Sequence, residues 1–159
     1  MEGSRPPALQ RRYFERYADE LRAAHPDWPA DRILPHSRLR SSGGTPIAAS
    51  RYVSPPEIAP HSTGAAVDLT LADADGRELD LGTEMNATPE QSDGACYTEA
   101  VNITDEARSH RALLGGALTA SGLVNYPTEW WHWSYGDRYW ALTAGAPAAL
   151  HGPREPDGS

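Results

Sequence analysis

Between Glu129 and Trp140 the chain runs EWWHWSYGDRYW, which gathers four of its five tryptophans and two of its seven tyrosines into one short stretch. Aromatic surface at that density calls for burial, with the Trp N–H and Tyr O–H groups finding polar partners. The run reads as an aromatic hairpin turning through Gly136 and Asp137, and it fixes where the core must form. Phe14 is the chain's one phenylalanine, so the rest of that core falls to Leu, Ala, Val and the large amphipathic rings. A chain of 159 residues fits one domain, and a domain of about 150 residues buries roughly two-thirds of its unfolded surface.

Other segments supply what packs on that run. From Ala8 to Ala24, Leu9, Tyr13, Tyr17 and Leu21 recur four apart, predicting an amphipathic helix entered through Pro6 and Pro7. Pro26 stops it near His25. Residues 30–49 hold Pro35, Gly43, Gly44 and Pro46 among serines and arginines and read as a surface loop or insertion without function. Arg32, Arg38 and Arg40 in it offer charge for an anion with nothing to position it. Ala65 to Leu71 alternates Val67, Leu69 and Leu71 against Ala66, Asp68 and Thr70, a strand with Asp68 off the aliphatic side. A turn through Asp73, Asp75 and Gly76 leads to a second strand at Glu78–Leu81. Gly82 to Asn102 is a long loop, a kind of segment that is often functional.

Thr104 caps the next helix, with Asp105 and Glu106 at the positive end of its dipole. Leu113, Leu114, Ala117 and Leu118 form its apolar face and Gly122 ends it. Leu123 to Tyr126 is a short extended piece before Pro127. The residues after Thr143 form a fraying tail, so the expected domain spans 1–145 with a disordered tail at 146–159.

A net charge of −8, from 14 basic and 22 acidic residues, opposes nonspecific attraction to nucleic acid or anionic lipid. No window reaches the roughly 18 to 20 apolar residues of a membrane helix. Cys96 stands alone, which excludes an intrachain disulfide. With no apolar stretch in the first residues, these features set the expectation of a cytoplasmic protein without nucleic-acid or membrane partners.

Ligand-type residues cluster in two settings: His61 with Asp68 seven residues on, and Glu129 with His132 three residues on. Two histidines and a carboxylate suit a catalytic zinc that keeps one position open. Glu129 beside it suits a general base, with Trp130, Trp131 and Trp133 excluding water. Singly, each has a plainer reading: His61 as a loop histidine, Asp68 as a hydrogen-bonded strand residue, the tryptophans as packing. His25, His36, His110 and His151 read as surface residues, and Cys96 as a small buried or loop residue.

RYVSPPEIAPHSTGAAVDLTL and YPTEWWHWSYGDRYW resemble the D-alanyl-D-alanine dipeptidase family, the zinc enzymes that include vancomycin-resistance dipeptidases. The family's S-x-H-x-x-G-x-A-x-D is similar to Ala59 through Asp68, with Ala59 replacing the serine. Its E-x-x-H is similar to Glu129 through His132. The resemblance implies His61, Asp68 and His132 as zinc ligands and Glu129 as base. Glu2-Gly3-Ser4-Arg5-Pro6 resembles the family's G-Y-R-P segment, which implies that Arg5 stabilises the developing oxyanion, with Ser4 in place of the aromatic. Gly82 through Asn86 resembles a loop whose aspartate holds the substrate's amino terminus. Asn86 stands there instead, able to accept a hydrogen bond without pairing ions.

The fold this implies is α+β, a small antiparallel sheet with packed helices, in a version lacking the family's N-terminal part. The function implied is hydrolysis of a dipeptide, D-Ala-D-Ala, by zinc-activated water. A peptidase for other cell-wall peptides and an inactive zinc-binding homologue are the alternatives. Nothing in the sequence addresses oligomeric state.

Overall fold

The structure, a computed structural model, describes residues 7–33 and 60–152. Among them run helix α1 (Pro7–Ala24), the single turn α2 (Ala30–Ile33), a 3-10 turn (Pro60–Thr63), strand β1 (Ala66–Asp68), the turn α3 (Pro89–Ser92), helix α4 (Asp105–Ala120), strands β2 (Val124–Tyr126) and β3 (Glu129–Ser134), and helix α5 (Arg138–Ala144). The strands form one antiparallel sheet in the order β1-β3-β2, so the fold is α+β. Among the described residues no helix is long and apolar enough to cross a membrane.

Helix α1 starts and stops where the prolines put it, with the His25 N–H still bonded to Leu21 O at 2.9 Å. Its buried face is Gln10, Phe14, Tyr17, Ala18 and Leu21, a shift from the expected four-residue stripe. At 3.6 residues per turn each step of four overshoots by about 40°, so a strict i+4 series drifts off any fixed face. Residues 30–33, expected to open a loop, form the turn α2 and bury Ile33 against Phe14, Tyr17, Ala18 and Leu21. The rest of that stretch, 34–49, lies outside the described residues.

The second core gathers Leu81, Cys96, Leu114, Trp130 and Trp131 between α4, the sheet and the 82–102 segment. Thr104 caps α4 as its sequence predicts, accepting from Ala107 N at 3.0 Å. The inward face is Ala107, Arg111 and Leu114, however, and Leu113 is exposed. Arg111 is tolerated there because its guanidinium donates to Leu81 O, Ala95 O and Tyr97 O at 2.7–2.8 Å and lies over the Trp130 ring. Burial draws its pKa down to about 10, which leaves it charged at neutral pH.

Two hairpins differ from expectation. The Asp73–Gly76 turn does reverse the chain, with Asp73 N bonded to Arg77 O at 2.9 Å, but the pairing beyond it shrinks to an isolated bridge between Ala72 and Glu78. β3 pairs backward with β2, across Pro127 and Thr128, rather than forward through Gly136 and Asp137. The forward pairing is lost because Asp137 caps a helix, its carboxylate accepting from Trp140 N at 2.7 Å. The residues after α5 fold back rather than fray: Leu150 N and His151 N both bond Gly136 O, at 2.7 and 2.9 Å. Gly136 sits at φ +81°, where a Cβ would meet His151 Cδ2 at 2.7 Å. Residues 153–159 lie outside the described residues.

Candidate metal centre

In β1 and β3, Asp68 stands directly opposite His132. Cross-strand partners share a face with their Cβ atoms about 5 Å apart, so the register alone brings carboxylate and imidazole together. His61 arrives from the 3-10 turn, which is closed by Thr63 Oγ1 donating to Pro60 O at 2.6 Å. Gly64, at φ +70°, then takes the left-handed conformation that side chains resist and delivers the chain into β1.

The three side chains are buried, at 4%, 2% and 6% exposure for His61, Asp68 and His132. His132 Nδ1 lies 3.0 Å from Asp68 Oδ1 and 3.1 Å from His61 Nε2, and those two atoms are 3.3 Å from each other. Hydrogen bonds cannot serve all three edges: when both imidazoles donate to Asp68 Oδ1, two N–H groups are left facing each other across the 3.1 Å His61–His132 edge. A single cation facing all three atoms can. Ligands about 2.0–2.1 Å from a tetrahedral ion stand about 3.3 Å apart, which matches the triangle's edges. The three residues form a group capable of holding a metal ion, and two imidazoles with one carboxylate are a donor set suited to zinc.

Electrostatics prepare the same donors. Burial alone raises the Asp68 carboxyl, but hydrogen bonds and charge from His132 and His61 overcome it and hold the group below the usual carboxylate range. Burial pushes His132 down, against the pull of Asp68. An ionised carboxylate beside a neutral imidazole is the protonation state that metal ligation needs.

Glu129 Oε2 lies 3.8 Å from His132 Nδ1, with the side chain 13% exposed. On a regular strand, residues three apart face opposite sides, so this proximity depends on an irregularity. The ladder supplies one. Asn125 pairs with Trp133, yet the next residue, Tyr126, pairs with Glu129, leaving residues 130–132 bulged from β2. Tyr126, which the sequence does not single out, sets its ring edge-on to His132 with centroids 5.8 Å apart. Burial raises its hydroxyl pKa, and the Glu129 charge adds to this. The tryptophans divide their roles. Trp133 stands opposite Val67, on the side away from Asp68 and His132, and its ring approaches Gly115 of α4. Trp130 donates from Nε1 to Thr83 Oγ1 at 2.8 Å.

Thr83 also lines a cleft of about 550 Å³ with Gly82, Glu84, Met85, Asn86 and Asn102. Asn86 therefore stands on a cleft wall outside the histidine–aspartate cluster, at φ +65°. Arg5 lies outside the described residues. Cys96 is buried, and burial raises its thiol pKa.

A family model described as D-ala-D-ala dipeptidase matches residues 33–145, a stretch that includes all the proposed ligands, Glu129 and Asn86. A D-alanyl-D-alanine dipeptidase of Synechocystis sp. is 37% identical over 89 residues, 52% of this chain and 36% of that protein. One of Escherichia coli is 36% identical over 72 residues, 45% of this chain and 35% of that protein. The matched stretches thus span about a third of the length of these relatives.

Proposed function

The chain belongs to the D-ala-D-ala dipeptidase family, and on that premise we propose that it is a zinc peptidase hydrolysing a dipeptide, D-Ala-D-Ala. The observation that carries the reading is the triangle of His61, Asp68 and His132 with Glu129 3.8 Å from its His132 corner. His61, Asp68 and His132 would hold zinc, which would polarise the scissile carbonyl and acidify a water. Glu129, through Oε2, takes a proton from the attacking water and passes it to the leaving amine as the C–N bond breaks. Tyr126 pairs with Glu129 across the ladder and sets its ring edge-on to His132 beside that carboxylate. In this reading the role of Arg5 is to stabilise the developing oxyanion, and Asn86 accepts a hydrogen bond from the substrate's amino terminus. The lone Cys96 fits a cytoplasmic setting.

The test is hydrolysis of D-Ala-D-Ala by the zinc-loaded chain, beside a panel of other dipeptides and cell-wall peptides. Glu129→Ala is expected to keep one equivalent of zinc and lose roughly 10²- to 10⁴-fold in kcat, the range for removing a general base. Hydrolysis of a different cell-wall peptide replaces the substrate while keeping the chemistry. One equivalent of bound zinc with no turnover of any peptide overturns the enzyme reading in favour of a metal-stabilised binding module.

A further inference from the structure

Two side chains bond the carbonyls of the β3 bulge: Trp133 Nε1 donates to Trp130 O at 3.2 Å, and Asn125 spans the whole segment. Asn125 Nδ2 lies 3.0 Å from His132 O, 3.2 Å from Glu129 O and 3.4 Å from Trp130 O, so its two N–H donors span the segment that carries both E-x-x-H residues. On its other side the amide oxygen accepts a hydrogen bond from the Thr98 hydroxyl. Carbonyls only accept and this hydroxyl donates, which fixes the amide's orientation without ambiguity. Thr98 is itself anchored, its N–H bonding Pro127 O at 3.0 Å. Remaining bonds hold the bulge from other directions: Trp130 N donates to Cys96 O at 3.1 Å, and Leu69 N donates to Trp131 O at 3.0 Å.

A regular ladder would pair Tyr126 with His132 and turn Glu129 to the opposite face of the sheet. The bulge removes that pairing and orphans main-chain carbonyls; Asn125 reaches those of Glu129, Trp130 and His132, and Trp133 shares only that of Trp130. We propose that Asn125 is a positioning residue of this site: its amide, oriented by Thr98, holds the β3 bulge that places Glu129 and His132 on the same side. Its link to catalysis rests on the peptidase reading above; its link to metal binding does not. The action is through the backbone, without contact with substrate.

Asn125→Asp and Asn125→Ala are compared with wild type in three measurements: zinc affinity by chelator competition, the visible absorption of the Co2+-substituted chain, and kcat with KM on the dipeptide. A space-filling residue tolerates the near-isosteric aspartate better than alanine. A donor clamp predicts the reverse, because aspartate sets a carboxylate against three carbonyls. Expected for Asn125→Asp are zinc affinity and kcat each lower by about 10- to 100-fold, the usual scale for residues supporting a metal ligand. KM should stay within about two-fold and the Co2+ band should shift.

Zinc affinity within about two-fold of wild type, with an unchanged Co2+ band, overturns the proposal. Greater damage in Asn125→Ala than in Asn125→Asp overturns it as well. If neither variant folds, Thr98→Val decides: a loss of about three- to ten-fold in zinc affinity supports the clamp, and no loss overturns it. Affinity and spectrum are read without peptide. A wild-type chain that binds metal but hydrolyses nothing therefore ends the peptidase reading while these two measurements still judge Asn125.

Discussion

Asp68 supplies the negative charge of the cluster, and its neighbours set that charge's pH dependence. Its carboxyl is depressed in the folded chain, so its contribution to stability is present above the unfolded value of about 3.9 and is lost as pH falls below it. His132 is also depressed, by burial, so protonating it opposes folding as pH drops below about 6.5. Both signs agree. The metal-free chain should lose thermal stability as pH falls below about 6.5 through His132 and further below about 3.9 through Asp68, and a flat melting profile from pH 7 to pH 3 contradicts the assignment. Asp68→Asn keeps the shape and removes the charge, and is expected to lower zinc affinity by at least about 100-fold, read by chelator competition. His61, Asp68, Glu129 and His132 could be singled out in the sequence because the two motifs that hold them resemble those of a known family; their spacing alone is only suggestive. Asn125 and Tyr126 could not. In a short extended segment an amide and a ring look like ordinary strand residues, and their work consists of contacts made across a bulge that spacing does not reveal.

Between elements, Arg111 is a buried polar connection from α4 to Leu81 and the 82–102 segment. Its guanidinium closes three backbone carbonyls over the Trp130 ring. Arg111→Met should leave those carbonyls buried and unpaired, costing about 3–5 kcal/mol in urea unfolding. Arg111→Lys should recover only part, since an ammonium lacks the planar fork; a methionine variant as stable as wild type rules this linkage out. The helix ends were readable because caps are local: Thr104, Pro26 and Gly122 act within a few residues. The faces were less so. Arg111 reads as solvated until the carbonyls waiting for it are known. The aromatic hairpin went the other way because Asp137 acts more strongly as a helix cap than as a turn residue.

At the scale of the molecule, the histidine–aspartate cluster joins a turn near residue 61 to two strands whose facing residues, Asp68 and His132, are 64 apart in sequence, as the 3.0–3.3 Å contacts show. A ligand that binds only the folded state stabilises it by about 2.7 kcal/mol at a hundred times its Kd. For a chain of this length that amounts to roughly 5–10 °C. Chelation should lower the melting temperature by that much, and His132→Ala should abolish the difference; equal melting with and without zinc argues against a folded-state site. The sequence by itself determined the donor types and the helix punctuation, because these follow from residue chemistry and local periodicity, and its family resemblance implied the α+β class. Tertiary structure decided that His61, Asp68 and His132 share one point and that Glu129 turns toward them. Pairing register and a three-residue bulge are set by contacts between distant segments, which no local pattern encodes.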